Sequence, residues 1–331
     1  MQLLCGGRGQ IINSLGAARV GEYPHAALVE VLYRRHDWYL RQPKYTGVCG
    51  GTILGHFWVL TAAHCFNPRP LGGARPAAPV VKVQVMVGRV DRYDARPYKR
   101  TRGRRDVVNP GHQCGYGYRY DSDSEAFFKI HDIALLQLQR KMRLVEGRIW
   151  PARLPDPAVR DVQVADRVWL AGWGTQYDDE LNPGGFTLQV GNMVVIPQYF
   201  CRYFLNDHWM GPAIYDRGGI NRMVRRLRNR AYRGNPPTSE LFDDKQICTG
   251  KSREGTRGAN EATPFKGDSG SGLFLQGDPT RTVYGIVSQG LGDYDRAGNV
   301  EGPTSYTRVS YYRDWILRTI RTYRIDPGLI N

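Results

Sequence analysis

Ser269 lies in the run Gly267-Asp268-Ser269-Gly270-Ser271-Gly272, and upstream stand Thr61-Ala62-Ala63-His64-Cys65 and His131-Asp132-Ile133-Ala134-Leu135-Leu136. A serine hydroxyl is a poor nucleophile near neutral pH. It needs an imidazole within hydrogen-bond reach to take its proton, and the imidazole needs a buried acceptor to fix its tautomer. The three runs supply a nucleophile, a base and an orienting carboxylate. Their chain order, His then Asp then Ser, is one of three unrelated orders in which this constellation is built. The chemistry open to it is acyl transfer through a covalent intermediate on Ser269. An imidazole titrating near ~6.5 suits both directions of the proton transfer around neutral pH.

Residues so far apart in sequence must be brought together by a scaffold. A chain of 331 residues with 41% hydrophobic content can build a large core, and 39 Gly with 20 Pro suit many short strands joined by turns. The length favours two modules with long loops. Val81-Lys82-Val83-Gln84-Val85-Met86-Val87 alternates apolar and polar residues, the period-2 pattern of a half-buried strand. Helical spacing is clear only near the end, at Tyr312, Trp315, Ile316, Thr319, Ile320 and Tyr323, and predicts a helix from about Tyr311 to Tyr323. No apolar stretch approaches the roughly eighteen residues of a membrane span, and Met1 to Gln10 is too short for a secretory signal. Residues 1–10 are expected to be the remnant of a pro-segment or leader.

Five separate blocks carry a family resemblance. Gly50-Gly51-Thr52-Ile53-Leu54 leading to Trp58-Val59-Leu60-Thr61-Ala62-Ala63-His64-Cys65 resembles the histidine block of the trypsin and chymotrypsin family of serine proteases, and Asp132-Ile133-Ala134-Leu135-Leu136 resembles its aspartate block. Ala171-Gly172-Trp173-Gly174, Gly285-Ile286-Val287-Ser288-Gln289-Gly290 and Tyr311-Tyr312-Arg313-Asp314-Trp315-Ile316 resemble the opening of its second barrel, its substrate-binding strand and its closing helix. The resemblance implies an all-β fold of two packed six-stranded antiparallel β-barrels with a C-terminal helix. The peptidase domain would span 11–331, with the first barrel at about 23–144, the second at about 162–306 and the helix at about 311–323. The active site would fall between the barrels, where clefts commonly form.

The same resemblance assigns roles. His64, Asp132 and Ser269 form the triad, and the backbone N–H groups of Gly267 and Ser269 form the oxyanion hole. Cys49 pairs with Cys65 and Cys201 with Cys248, which implies an oxidising, extracellular compartment. Cys5 and Cys114 remain, and sequence cannot show whether they pair. Two disulfides common in relatives are missing: Val168 and Leu275 occupy one pair of positions, Phe265 and Asp293 the other. Zymogen activation would free an α-amino group to neutralise Asp268. The matching residue is Ile11, although it follows Gln10; Ile12 restores the family spacing to Gly21 but loses the usual second residue, and Arg8 offers an alternative cut followed by trimming.

Primary specificity is read at Thr263, Ser288, Gly290 and Thr304. Thr263 carries no charge and Thr304 replaces a pocket-opening glycine, so the resemblance implies preference for a small uncharged side chain before the scissile bond. Asp293 or Asp295, turned inward, would instead favour a basic one. Gln289 stands where relatives have tryptophan. No metal or other cofactor is required, and the partner is a protein or peptide substrate.

Charge is the second unusual feature. Lys+Arg 46 against Asp+Glu 31 gives a net charge of +15, and only eight of the basic residues are lysine. Arg96, Lys99, Arg100, Arg102, Arg104 and Arg105 cluster in one expected loop, and Arg217, Arg222, Arg225, Arg226, Arg228, Arg230 and Arg233 in another. Such clusters attract polyanions, such as a sulfated glycan, or acidic substrate surfaces, or they are solvated surface. Aromatic residues are not interleaved in a nucleic-acid motif, so no nucleic acid is expected. Against relatives, insertions fall at Arg34 to Tyr45, Pro68 to Ala78, Tyr93 to Arg105, Gln113 to Lys129 and Arg202 to Gln246. Long loops on a rigid scaffold commonly bind something. Two alternatives to a broad endopeptidase follow: a cascade-type protease whose substrate is chosen by exosite loops, and a polyanion-binding protein on a protease scaffold.

Overall fold

The alternation around Val81 forms a strand. In a computed structural model of the chain, Val83, Val85 and Val87 are buried while Lys82 and Gln84 are half-buried. The structure describes residues 16–34, 44–66, 80–93, 100–108, 113–119, 122–174, 187–198, 201, 244–250, 263–264, 266–290, 293–294, 300–301 and 303–323. The strands in chain order are β1 (Gly16–Ala17), β2 (Ala26–Arg34), β3 (Lys44–Ile53), β4 (Trp58–Thr61), β5 (Val80–Val87), β6 (Arg100–Val108), β7 (Gln113–Arg119), β8 (Ser122–Ile130) and β9 (Ala134–Leu138). After these come β10 (Arg167–Gly172), β11 (Gln189–Ile196), β12 (Gln246–Gly250), β13 (Gly272–Leu275), β14 (Val283–Gly290), β15 (Asp293–Tyr294), β16 (Val300–Glu301) and β17 (Thr304–Arg308). Helix α1 (Val309–Thr322) follows.

Strands β2-β3-β4-β9-β6-β5 close into a six-stranded barrel. The second unit is a ring of β11-β10-β13-β14-β17-β12, and β12 returns to β11 through Val194↔Gly250, Val195↔Thr249 and Ile196↔Cys248. β1 adds at the other end of β11, with Gly16 opposite Val190. All these pairings are antiparallel, and closure leaves few open edges. Each barrel has its own apolar core. A third cluster, including Leu28, Met86, Ala171, Trp173 and Leu188, lies where the barrels meet. Met86 points outward from the first barrel yet is 4% exposed, because the second barrel covers it.

The helix begins two residues before its predicted start. It buries Val309, Tyr312, Ile316, Thr319 and Ile320 along one face, and four of these join the core that contains the first barrel's residues. The absent disulfide at Val168 and Leu275 is replaced by a direct cross-strand pair: the two residues stand opposite each other in β10 and β13, with Val168 fully buried. Apolar contact there stands in for a covalent bond, as expected for like-sized side chains across a ladder.

Two insertions contain strands. The arginine run expected in a loop between Tyr93 and Arg105 enters strand β6 at Arg100. There Arg100, Thr101 and Arg102 stand opposite Met86, Val85 and Gln84 of β5, and a bulge follows between Gly103 and Arg105. The ring demands this strand, since without it β5 and β9 would present unpaired edges; a charge run hides it because no apolar alternation marks it. Gln113 to Lys129 likewise falls in the β7–β8 hairpin, with Cys114 opposite Lys129. The first insertion is also shortened, because the β2–β3 ladder reaches Arg34↔Lys44. Pro68 to Ala78, the segment 202–243 with its arginine cluster, Cys5, Ile11, Phe265 and Asp295 lie outside the described residues. Among the described residues no helix is long and apolar enough to cross a membrane.

Candidate active site

β4 ends at Thr61, and the chain turns through a short 3₁₀ segment, Ala63–Cys65, that carries His64. The disulfide Cys49–Cys65 ties this turn to β3, and the Tyr33 hydroxyl donates to the Cys65 carbonyl from β2. His64 is therefore held from both sides. Asp132 precedes β9, is 1% exposed, and receives His64 twice: the backbone N–H donates to Oδ1 at 2.9 Å and the ring Nδ1 meets Oδ2 at 2.8 Å. A third donor is the Ser288 hydroxyl, 2.6 Å from the same Oδ2. A carboxylate this deeply buried is tolerated only when such partners offset its desolvation. The ring is thus oriented through Nδ1, with Nε2 on the side away from the carboxylate.

Ser269 comes from the second barrel, in the turn before β13. Its carbonyl accepts the Gly50 N–H at 2.8 Å, while Gly270 N–H reaches the Val287 carbonyl at 2.9 Å. These bonds stitch the serine turn to β3 on one side and β14 on the other. Gly270 has φ of 86°, and a Cβ there would fall on Thr61 Oγ1 beside the Ala62 nitrogen. Only glycine lets the two backbones approach so closely, which brings the Ser269 turn against the one that carries His64. Gly267 is also left-handed, at φ of 99°, a conformation that turns backbone N–H groups within a tight bend. Asp268 between them is fully buried, and its Oδ1 accepts the Gly174 N–H at 2.7 Å, so the loop after β10 is tied to the serine turn.

The residues expected to shape a substrate pocket lie on the second sheet and in the segment before the serine turn. Thr263 and Thr304 are buried at 4% and 2% exposure, and Gly290 is exposed at the end of β14, opposite Thr304 on β17. Thr304 also pairs with Thr249 of β12, whose neighbour Cys248 is joined to Cys201. Ser288, expected among the substrate-binding residues, donates its hydroxyl to Asp132. Asp293 lies on β15 opposite Glu301. One supporting residue escaped sequence analysis altogether: Thr307 Oγ1 donates to the Asp132 carbonyl at 2.9 Å. No local motif marks it, since the two residues are 175 positions apart.

A family model described as Trypsin matches residues 31–316. Coagulation factor XI of Bos taurus is 27% identical over 280 residues, covering 84% of this chain and 34% of that protein. Tissue-type plasminogen activator of Homo sapiens is 26% identical over 309 residues, covering 92% of this chain and 44% of that protein. The chain thus spans between about a third and under half the length of these curated relatives. A solved structure of HL collagenase superimposes with a TM-score of 0.58 at 20% identity, covering 96% of this chain and all of the other, a likeness of fold.

Proposed function

Because the chain belongs to the trypsin family, we propose that it is a serine endopeptidase that hydrolyses peptide bonds through an acyl-enzyme on Ser269. The observation that carries this reading is the buried Asp132 carboxylate gripping both the backbone N–H and the Nδ1 of His64. In the first step the Ser269 Oγ–H proton passes to His64 Nε2 as Oγ bonds to the scissile carbonyl carbon. The carbonyl oxygen becomes an oxyanion that accepts hydrogen bonds from the Gly267 and Ser269 N–H groups, each such donor contributing about 10²- to 10³-fold in rate. Collapse of the adduct breaks the C–N bond, and His64 returns the proton to the leaving amine. Water then repeats the sequence and releases the acid. Asp132 stays ionised and stabilises the imidazolium. A fluorophosphonate should label Ser269 in the full, activated chain; an unlabelled Ser269 would reject the reading in favour of a binding protein on the same scaffold.

Activation would follow cleavage before Ile11, whose new α-amino group would neutralise Asp268. The two disulfides support an extracellular compartment. Two relatives are named as a coagulation factor and a plasminogen activator, and those names support a second reading: a cascade-type protease whose protein partner is chosen by exosite loops.

The pocket favours small substrates. Thr263 and Thr304 are both buried and uncharged, and a cationic side chain placed among them without a partner would carry a desolvation cost of several kcal/mol. Peptides with Ala or Val before the scissile bond are therefore expected to exceed those with Arg in kcat/KM by about tenfold or more. A library profile dominated by Arg would overturn this and point to Asp293 or Asp295.

The arginine clusters support binding to a sulfated glycan. Retention on heparin should fall steeply with salt, because screening contracts to about 8 Å at physiological ionic strength. Reversing Arg222, Arg225 and Arg226 to Glu should weaken retention and spare cleavage of a short peptide. Salt-insensitive retention would leave the arginines as solvated surface.

A further inference from the structure

The residue before Asp132 has an unusual backbone conformation. His131 has φ of 50°, in the left-handed region. Non-glycine residues enter that region at a cost, with Asn, Asp and His the common exceptions. The bend is closed by the Ile133 N–H, which donates to the His131 carbonyl at 2.8 Å. Side chains from the end of β17 and the start of α1 hold it from outside. Tyr312 Oη and His131 Nδ1 are hydrogen-bonded at 2.7 Å, with the two rings edge to face at 5.8 Å. Thr307 Oγ1 meets the next carbonyl, that of Asp132, at 2.9 Å. Tyr312 itself is 4% exposed, packed into the core that α1 shares with the first barrel. A rigid helix thus reaches the residue next to the triad carboxylate.

We propose that His131 and Tyr312 form a positioning clamp for the triad: the Tyr312 hydroxyl locks His131 in its left-handed conformation, and that bend aims the Asp132 carboxylate at His64. The inference rests on the triad reading above. Both are positioning residues, because they act through Asp132. The helix that follows β17 and packs on the first barrel's core therefore also tunes proton transfer at the triad. A clamp of this kind affects the transition state, in which imidazolium forms, and leaves ground-state binding of the peptide alone. Its signature is a fall in kcat at unchanged KM.

Three variants of the full chain test it: His131→Val, His131→Asn and Tyr312→Phe. A β-branched residue at positive φ pays strain, so His131→Val should lower kcat by about tenfold or more. Asn tolerates the left-handed region and should restore most of that loss. Tyr312→Phe removes a single oxygen and should lower kcat about three- to tenfold, the worth of one buried hydrogen bond. In the two impaired variants KM should stay within about twofold. The low-field proton resonance of the His64–Asp132 hydrogen bond should shift in the same order, a readout independent of turnover. Should His131→Val fail to fold, Tyr312→Phe carries the test. The clamp is overturned if kcat and the resonance match the parent chain in Tyr312→Phe, if a folded Asn variant is no better than Val, or if KM rises in place of a fall in kcat. A parent chain that hydrolyses peptide and takes up fluorophosphonate alongside indifferent variants refutes the clamp alone; a parent chain that does neither refutes the triad reading as well.

Discussion

Replacing Ser269 by alanine is expected to lower kcat for peptide hydrolysis by on the order of 10⁶-fold, with little change in thermal stability. The first half follows from chemistry. Without Oγ there is no acyl-enzyme, and what remains is the acceleration from the oxyanion hole and substrate binding, roughly 10³- to 10⁴-fold over water. The second half follows from structure. Ser269 is partly exposed, and the bonds that fix its turn are made by backbone atoms: Gly50 N–H to the Ser269 carbonyl and Gly270 N–H to the Val287 carbonyl. Losing a hydroxyl there creates no cavity in the core and leaves no buried donor unpaired. Steady-state kinetics and a melting curve on the same preparation check both halves. Hydrolysis within about tenfold of the parent would exclude Ser269 as nucleophile, and a large drop in melting temperature would show that the hydroxyl is structural.

The parts of this site that could be read in the sequence are those whose chemistry is local. The serine turn needs its glycines within one or two residues of Ser269, and the cysteine that ties down His64 is its immediate neighbour. The supports of Asp132 were harder to read. Ser288 and Thr307 reach it across 156 and 175 residues, and ordinary threonines and serines carry no sign of such a task. Ser288 was legible as part of a strand near the substrate but not as a donor to the carboxylate. Strand β6 was hidden for another reason. Its run of arginines carries no apolar alternation, so charge alone points to a loop where the chain pairs with β5 and β9. Cross-strand substitution was more transparent, because Val168 and Leu275 are both apolar and stand in register.

His25 left no trace in sequence analysis, yet it leads to the largest expected effect on stability. It sits just before β2 at the seam between the barrels, 2% exposed, and among the described residues neither ring nitrogen has a hydrogen-bond partner. Its ring centroid is 4.2 Å from that of Phe274 and 5.6 Å from that of Trp169, both supplied by the second barrel, and 6.5 Å from that of Tyr23. Burial among these rings pushes its pKa down from 6.5 to about 3, and the nearby Arg281 charge pushes the same way. The unfolded chain takes up this proton near pH 6.5 and the native chain only near pH 3. Between those values the unfolded state binds more protons, so stability must fall as pH falls, by about 1.4 kcal/mol per pH unit from this group alone. Above that window the neutral ring contributes no such dependence. Carboxylates elsewhere also lose partners in acid, so the prediction is framed against His25→Phe, which keeps an aromatic ring at the seam and cannot titrate. The free energies of unfolding of the two chains should run parallel above about pH 7 and diverge below about pH 6, the variant gaining on the parent by roughly tenfold in the folding constant per unit. Denaturant unfolding at a series of pH values measures this directly. A difference between the chains that stays constant from pH 7 to about pH 4 would mean that His25 finds a partner or a solvent path when protonated, and that the seam between the barrels is not sensitive to acid through this residue.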